Sequence, residues 1–314
     1  MKGQQLIQWL LDGDVSIQYQ VYRDLLGEDR PDLQERIAQE GWGAQFLSYQ
    51  KPESHWGRGF YQPKWISSHY TILDLKNLAI APDHPRIRTA IQFILDHHIS
   101  EDGGLNPHRE LKQSDVCING MGLNYATYFG MPEQQLHSIV DFILSQRMPD
   151  GGFNCRLNRS GARHSSLHST ISVLEGIQEY AMNGYHYRLE ELQEAQQTGE
   201  AFILLHQLYI SDRTGEIIKK EFLRLSYPSR WKYDILRALS YFCLAQKPYD
   251  PRMQPAIEVL LKKRRKDGTW PVQAKHPGQT HFDMEQAGQP SRWNTLRALR
   301  VLKWLKEQGK VGRE

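Results

Sequence analysis

Two short stretches of the 314-residue chain carry the residue types that hold metal ions. One is Asp115-Val116-Cys117, at the head of "SDVCINGMGLNYATYFG"; the other, "GGFNCRLNRSGARHSSLHST" (151–170), offers Cys155, His164 and His168. Zinc accepts thiolate, imidazole and carboxylate ligands, and a catalytic zinc site keeps one position for water or substrate. Asp115, Cys117 and His168 make the expected set, with His164 and Cys155 as alternates. His164 and His168 stand four apart, so they share a face if one helix carries both. A plainer reading stays open beside it: Asp115 caps a helix, Cys117 is a small buried hydrophobe, and the histidines are polar lining. Just upstream, Arg109 and Lys112 are spaced to aim at one anion. A second grouping of metal-ligating types is His281, Asp283 and Glu285 in "HFDME".

These stretches belong to a repeat. Apolar runs ending in Asp-Gly recur as "FILDHHISEDGGLN" (93–106), "FILSQRMPDGGFN" (142–154) and "VLLKKRRKDGTWP" (259–271), with looser copies at 46–57 and 202–216. The anchors Phe46, Phe93, Phe142, Phe202 and Val259 lie 47, 49, 60 and 57 residues apart, a period suited to a helix–turn–helix unit. Each turn leads into a second helix opened near a Ser or Asp that can accept from unpaired backbone N–H groups. These second helices span about 67–81, 114–130, 164–180, 229–245 and 291–305, and are apolar over a wide arc, which marks them as inner. The first helices carry a polar stripe and read as outer. With "QQLIQWLL" and "SIQYQVYRDLL" as the first pair, six pairs can be counted. The expectation is an all-α fold, a single α/α barrel over residues 1–314, with an open solenoid as the other possibility. Closure gathers the inner-helix N-termini around one mouth, where residues from separate repeats become neighbours.

Around that mouth fall Trp56, Trp231, Tyr233 and Trp293, whose π faces can line a hydrocarbon cavity and stabilise a carbocation; core packing is the other role open to them. Arg230, Asp234, Arg292 and Asn294 flank the two "SRW" openings and suit a polar network at the rim. Cys243, inside "LSYFCLA", reads as core. A net charge of +3 gives no general argument for nucleic acid, and "KKRRKDG" (262–268) reads as the solvated end of a helix. Three cysteines and no long apolar run predict reduced thiols in a cytoplasmic protein without a membrane span.

The DGGF and DGTW turns resemble those of the prenyltransferase and squalene-oxidase repeat superfamily, which holds triterpene cyclases and protein prenyltransferase β subunits. The resemblance covers about residues 40–305 and is nearest to small bacterial squalene-cyclase-like proteins through "HSSLHSTISVLEG" and "PSRWNTLRALRVL". It implies an α/α toroid around an apolar cavity. The proton-donating D-x-D-D motif of class II cyclases does not occur in this sequence. The zinc-binding D-x-C of the β subunits matches Asp115 and Cys117, with the His on the next inner helix matching His168. Their diphosphate-contacting Arg and Lys match Arg109 and Lys112, and their diphosphate-binding His resembles His69. Ile118 departs from the Tyr that follows the family's Cys. The resemblance therefore implies a zinc-dependent, prenyltransferase-like enzyme acting on a polyprenyl or prenyl diphosphate substrate. The alternative is a non-catalytic binding protein for an apolar ligand or peptide, any zinc being structural.

Overall fold

Residues 3–107 and 113–310 are described by a computed structural model. α1 (Gly3–Leu11) precedes α2 (Val15–Val21), which runs on as a π-helical turn to Leu26. Beyond the short α3 (Pro31–Arg36) come α4 (Gly41–Ser48) and α5 (Ser68–Asn77), then α6 (Pro85–His98) and α7 (Val116–Tyr128). α8 (His137–Ser145) and the one-turn α9 (Leu157–Ser160) lead to α10 (Leu167–Met182). The last pairs are α11 (Leu189–Leu205) with α12 (Ile235–Leu244), and α13 (Gln254–Lys262) with α14 (Arg292–Glu307). Strand structure among the described residues is one two-residue antiparallel pair, β1 (Trp270–Pro271) with β2 (Pro290–Ser291), and two isolated bridges. No helix of the described residues is long and apolar enough to cross a membrane.

Burial sorts the helices as the sequence predicts. α6 buries Ile87, Ala90, Ile91, Ile94 and Leu95, one stripe at helical spacing, whereas every residue of α5 from Ser68 to Leu75 is buried. α2, α5, α7, α10, α12 and α14 form the inner ring. Side chains link it step by step: Gln20 donates to the Asn77 carbonyl, the Tyr125 hydroxyl lies 3.3 Å from His69 Nδ1, Asn124 donates to the Glu175 carbonyl, and Arg237 pairs with Glu175 at 2.6 Å. The Cys243 thiol reaches the Arg300 carbonyl, and Arg300 donates to Gln20 at 2.7 Å, which closes the circle. The all-α toroid of six outer–inner pairs is thus the fold of the described chain.

The repeated turn has a physical explanation. Asp102 accepts the Ser114 amide (2.6 Å) and hydroxyl, and Asp150 does the same for Ser165, so each turn aspartate ties its outer helix to the residue just ahead of the next inner one. The second glycine lies so close to that serine that a Cβ on Gly104 or Gly152 would sit 2.7 Å from the serine Cβ. The next amide enters the inner helix: Leu105 donates to Asn119, Phe153 to Thr170 and Trp270 to Thr295, each acceptor the fourth residue of its helix. Between α7 and α10 the contact is backbone to backbone. A Cβ on Gly176 would meet the Gly120 carbonyl oxygen at 2.3 Å, and one on Gly120 would meet that of Ser172 at 2.6 Å.

Candidate functional site

The inner-helix openings do converge, but the expected metal ligands divide between two corners. Cys117, in the first turn of α7, donates its amide to the Cys155 sulfur at 3.2 Å, and Ser169 of α10 donates its hydroxyl to the same sulfur at 3.3 Å. Asp115 lies beside them, and the Cys117 thiol is hydrogen-bonded to Cys155. That bond, with the Ser169 and Cys117 donors, holds the Cys155 thiol below its ordinary value against the opposing effect of burial. His168 turns the other way. Its Nδ1 accepts the Tyr233 amide at 2.9 Å, and its ring meets Phe222 and Trp231 edge-on at 5.2 and 5.0 Å. α10 begins only at Leu167, so His164 is not on the helix with His168; it is exposed, 4.0 Å from Asp150.

Among the described residues no three His, Cys, Asp or Glu side chains are grouped to hold a metal ion. These residues, as placed, therefore do not fit the expected zinc. The "HFDME" grouping separates as well: His281 meets the Thr71 hydroxyl at 3.0 Å, Asp283 pairs with Lys275, and Glu285 accepts the Ser291 hydroxyl and the Arg292 amide to cap α14.

Arg109 and Lys112 lie outside the described residues. His69 is fully buried, with the Tyr125 hydroxyl 3.3 Å from its Nδ1, and burial drives it down to about 3. It is uncharged near neutrality, so it brings no positive charge to a diphosphate. Of the expected cavity aromatics, Trp56 is a repeat staple. Its Nε1 donates to the Phe46 carbonyl at 2.7 Å, as Trp270 donates to Leu260 four repeats later. Tyr233 is equally structural, its hydroxyl fixed on the Leu208 carbonyl. Trp231 and Trp293 stay near the mouth. Lys64 and Lys232 flank the Trp231 face at 5.0 and 4.5 Å, and Trp293 stacks on Tyr227 with ring centroids 4.8 Å apart.

The polar heart of the ring is a group only partly legible in the sequence. Asp74 sits in the second turn of α5, 2 % exposed, and neither carboxylate oxygen has a hydrogen-bond partner. Burial pushes it up to about 6, with the Arg230 guanidinium pulling the other way. Arg230 is buried too; its Nη1 has no partner, its guanidinium lies 4.7 Å over Trp65, and its φ of +55° is a left-handed conformation that costs a non-glycine residue about 1 kcal/mol. The Tyr227 hydroxyl, also unpartnered, feels the Asp74 charge. Asp234, Arg292 and Asn294 do serve the rim: Asp234 caps α12, Arg292 donates to the Trp9 carbonyl, and Asn294 donates to the Leu225 and Pro271 carbonyls. Arg230 does not join them. Asp74 was detectable only as a lone acid in a helix otherwise buried all round.

Above this group the 275–285 loop enters the mouth. Trp65 donates to the Pro277 carbonyl at 2.7 Å, and Gly278, at φ +137°, lies where any side chain would strike Trp65. Phe282 packs on Phe46 and His281 on Tyr49. Between loop and ring lies a narrow cleft, with room for about two water molecules as the loop stands, that Trp65, Tyr227, Arg230, His276, His281 and Phe282 help to line. His276 and His281 are driven down to about 4, chiefly by burial, so the fixed positive charges of the cleft are Arg230 and Lys275, the latter paired with Asp283.

No family model matches the chain, and no curated protein matches it in sequence. Solved structures do resemble it in shape. A polysaccharide lyase aligns over 96% of this chain and 90% of its own at 12% identity, with a TM-score of 0.54. A glycosyl hydrolase of family 88 from Bacteroides vulgatus aligns over 95% and 91% at 13% identity, TM-score 0.51. The type II terpene cyclase MstE from Scytonema aligns over 94% and 89% at 13% identity, TM-score 0.47. The likenesses to the lyase and the hydrolase agree with the α/α toroid seen in the chain's own helices.

Proposed function

We propose that the chain is an isoprenoid-type enzyme that takes an apolar substrate with an anionic head into the centre of the toroid. The observation that carries this reading is that Asp74 and Arg230, both buried and both with unused hydrogen-bonding atoms, lie within electrostatic reach of each other, with Arg230 lining the cleft beside Trp65, Tyr227 and Phe282. Arg230 would receive the phosphate or carboxylate head, since a guanidinium presents a planar fork of donors. Trp65, Tyr227 and Trp293 would hold the hydrocarbon and stabilise positive charge developing on it. Asp74, titrating near 6, is poised to give or take a proton close to neutral pH.

Farnesyl and geranylgeranyl diphosphate are the first probes, with binding followed by calorimetry and conversion by mass spectrometry. Arg230→Ala should weaken binding at least tenfold. Asp74→Asn should keep binding and lower turnover by roughly 10²–10⁴-fold. Ligand bound but returned unchanged, with Asp74→Asn indifferent, would establish the non-catalytic binding protein instead. No binding of either diphosphate, with binding of an acidic oligosaccharide, would move the site to carbohydrate chemistry.

A further inference from the structure

Cys117 and Cys155 come from different repeats yet share one corner of the mouth. The Cys117 amide and the Ser169 hydroxyl both donate to the Cys155 sulfur, at 3.2 and 3.3 Å, and the two thiols are hydrogen-bonded to each other. A 3.2 Å contact from the backbone of one cysteine to the sulfur of the other brings their α-carbons close to the roughly 4.4–6.8 Å that a disulfide spans. Both are half-buried rather than sealed. Donors of this kind, two of them supplied at the start of α7, favour a thiolate and select which sulfur reacts first. Nothing in the proposed acid–base chemistry of Asp74 and Arg230 uses this pair.

We propose that Cys117 and Cys155 form a redox-active dithiol that a hydroperoxide converts to an intramolecular disulfide, with Cys155 the attacking sulfur and Cys117 the resolving one. Cys155 attacks one peroxide oxygen, the O–O bond breaks, and the released hydroxide leaves as water with the proton of the Cys155 thiol. The resulting sulfenic acid is attacked by Cys117; the S–S bond forms, the S–O bond breaks, and the second oxygen leaves as water with the Cys117 proton. Two thiols and one hydrogen peroxide become one disulfide and two waters. The bond would clamp the start of α7 to the segment ahead of α10, beside Tyr61 and Lys64, whose electrostatic fields already reach the pair.

Cys243 serves as an internal control, because it is buried on α12 with its thiol on the Arg300 carbonyl. The full chain, reduced and then given stoichiometric hydrogen peroxide, should fall from three titratable thiols to one when counted after denaturation. Mass spectrometry of its peptides should show 117 joined to 155, and the melting temperature should rise by roughly 5 °C. Cys243→Ser should fall from two thiols to none. Cys117→Ser should stop at a Cys155 sulfenic acid that dimedone traps. The proposal is overturned if all three thiols survive, if Cys155 over-oxidises while Cys117 stays reduced, or if the cross-link forms between chains.

Discussion

Asp74 makes the stability of this protein depend on pH in the sense opposite to its buried histidines. Its carboxyl titrates near 6 in the folded chain and at its ordinary value of 3.8 when unfolded, so the folded state binds the extra proton between those limits. The contribution is fully present below 3.8 and is lost as pH rises through 6. Asp74→Asn should therefore raise the melting temperature at pH 8 by roughly 4 °C, equivalent to about 2 kcal/mol, and change it little at pH 4. His69 and His168, driven to about 3, and His276 and His281, driven to about 4, act the other way. Their unfolded forms bind protons from 6.5 downward while the folded forms do not, so stability present above 6.5 drains away in acid. Thermal melts of the unsubstituted chain should show its melting temperature falling steadily from pH 6.5 to pH 4. A melt flat across that range would show that these imidazoles reach solvent.

At the scale of elements, the α7–α10 contact is the least forgiving in the ring. The Gly176 Cα faces the Gly120 carbonyl with no room for a methyl group, and the obstructing atoms are backbone rather than a flexible side chain. Gly176→Ala should cost about 3 kcal/mol, the upper end of what overpacking exacts, although alanine is the better helix former by about 1 kcal/mol. Urea denaturation followed by circular dichroism measures it. A neutral or stabilising result would mean that the two helices can separate, and with them the corner that holds Cys117 and Ser169.

For the whole molecule the decisive join is between the first and last repeats. Asp24, at the end of the first inner helix, pairs with Arg300 of α14, whose guanidinium is largely withdrawn from water and also donates to Gln20. Burial pushes the Asp24 carboxyl up, yet Arg300 and Arg23 together hold it below its ordinary value. Lys303 adds bonds to the Asp24 and Leu25 carbonyls, and Arg292 lies 4.6 Å over Trp9. Asp24→Asn would leave Arg300 without its counter-charge and should lower stability by about 3 kcal/mol, read as a shift in the urea midpoint. A loss below about 0.5 kcal/mol would show that apolar contact alone closes the ring.

The repeat, and through it the toroid, could be read from the residues because its instructions are local. An aspartate and a glycine with no room for Cβ recur at the 102–104 and 150–152 turns, a polar residue on the first turn of the next helix recurs there and at Thr295, and each acts on atoms close in the chain. The division into inner and outer helices was legible for the same reason, since a polar stripe is a sequence pattern. The site was not. A helix buried all round, such as α5, has no stripe to show which residue looks into the centre, so Asp74 passed unnoticed. Direction within a turn was equally hidden: His168 has the right position for a ligand beside Cys117, but its bond to the Tyr233 amide aims it at the next helix. Trp56 was read as a cavity aromatic, yet it stands ten residues after Phe46 as Trp270 stands ten after Leu260, a shared spacing that goes with the same indole-to-carbonyl bond. What only the tertiary structure decided is the meeting of Asp74 with Arg230 and of Cys117 with Cys155. Ring closure and the packing of neighbouring repeats bring these pairs together, and neither depends on any pattern shorter than a whole repeat.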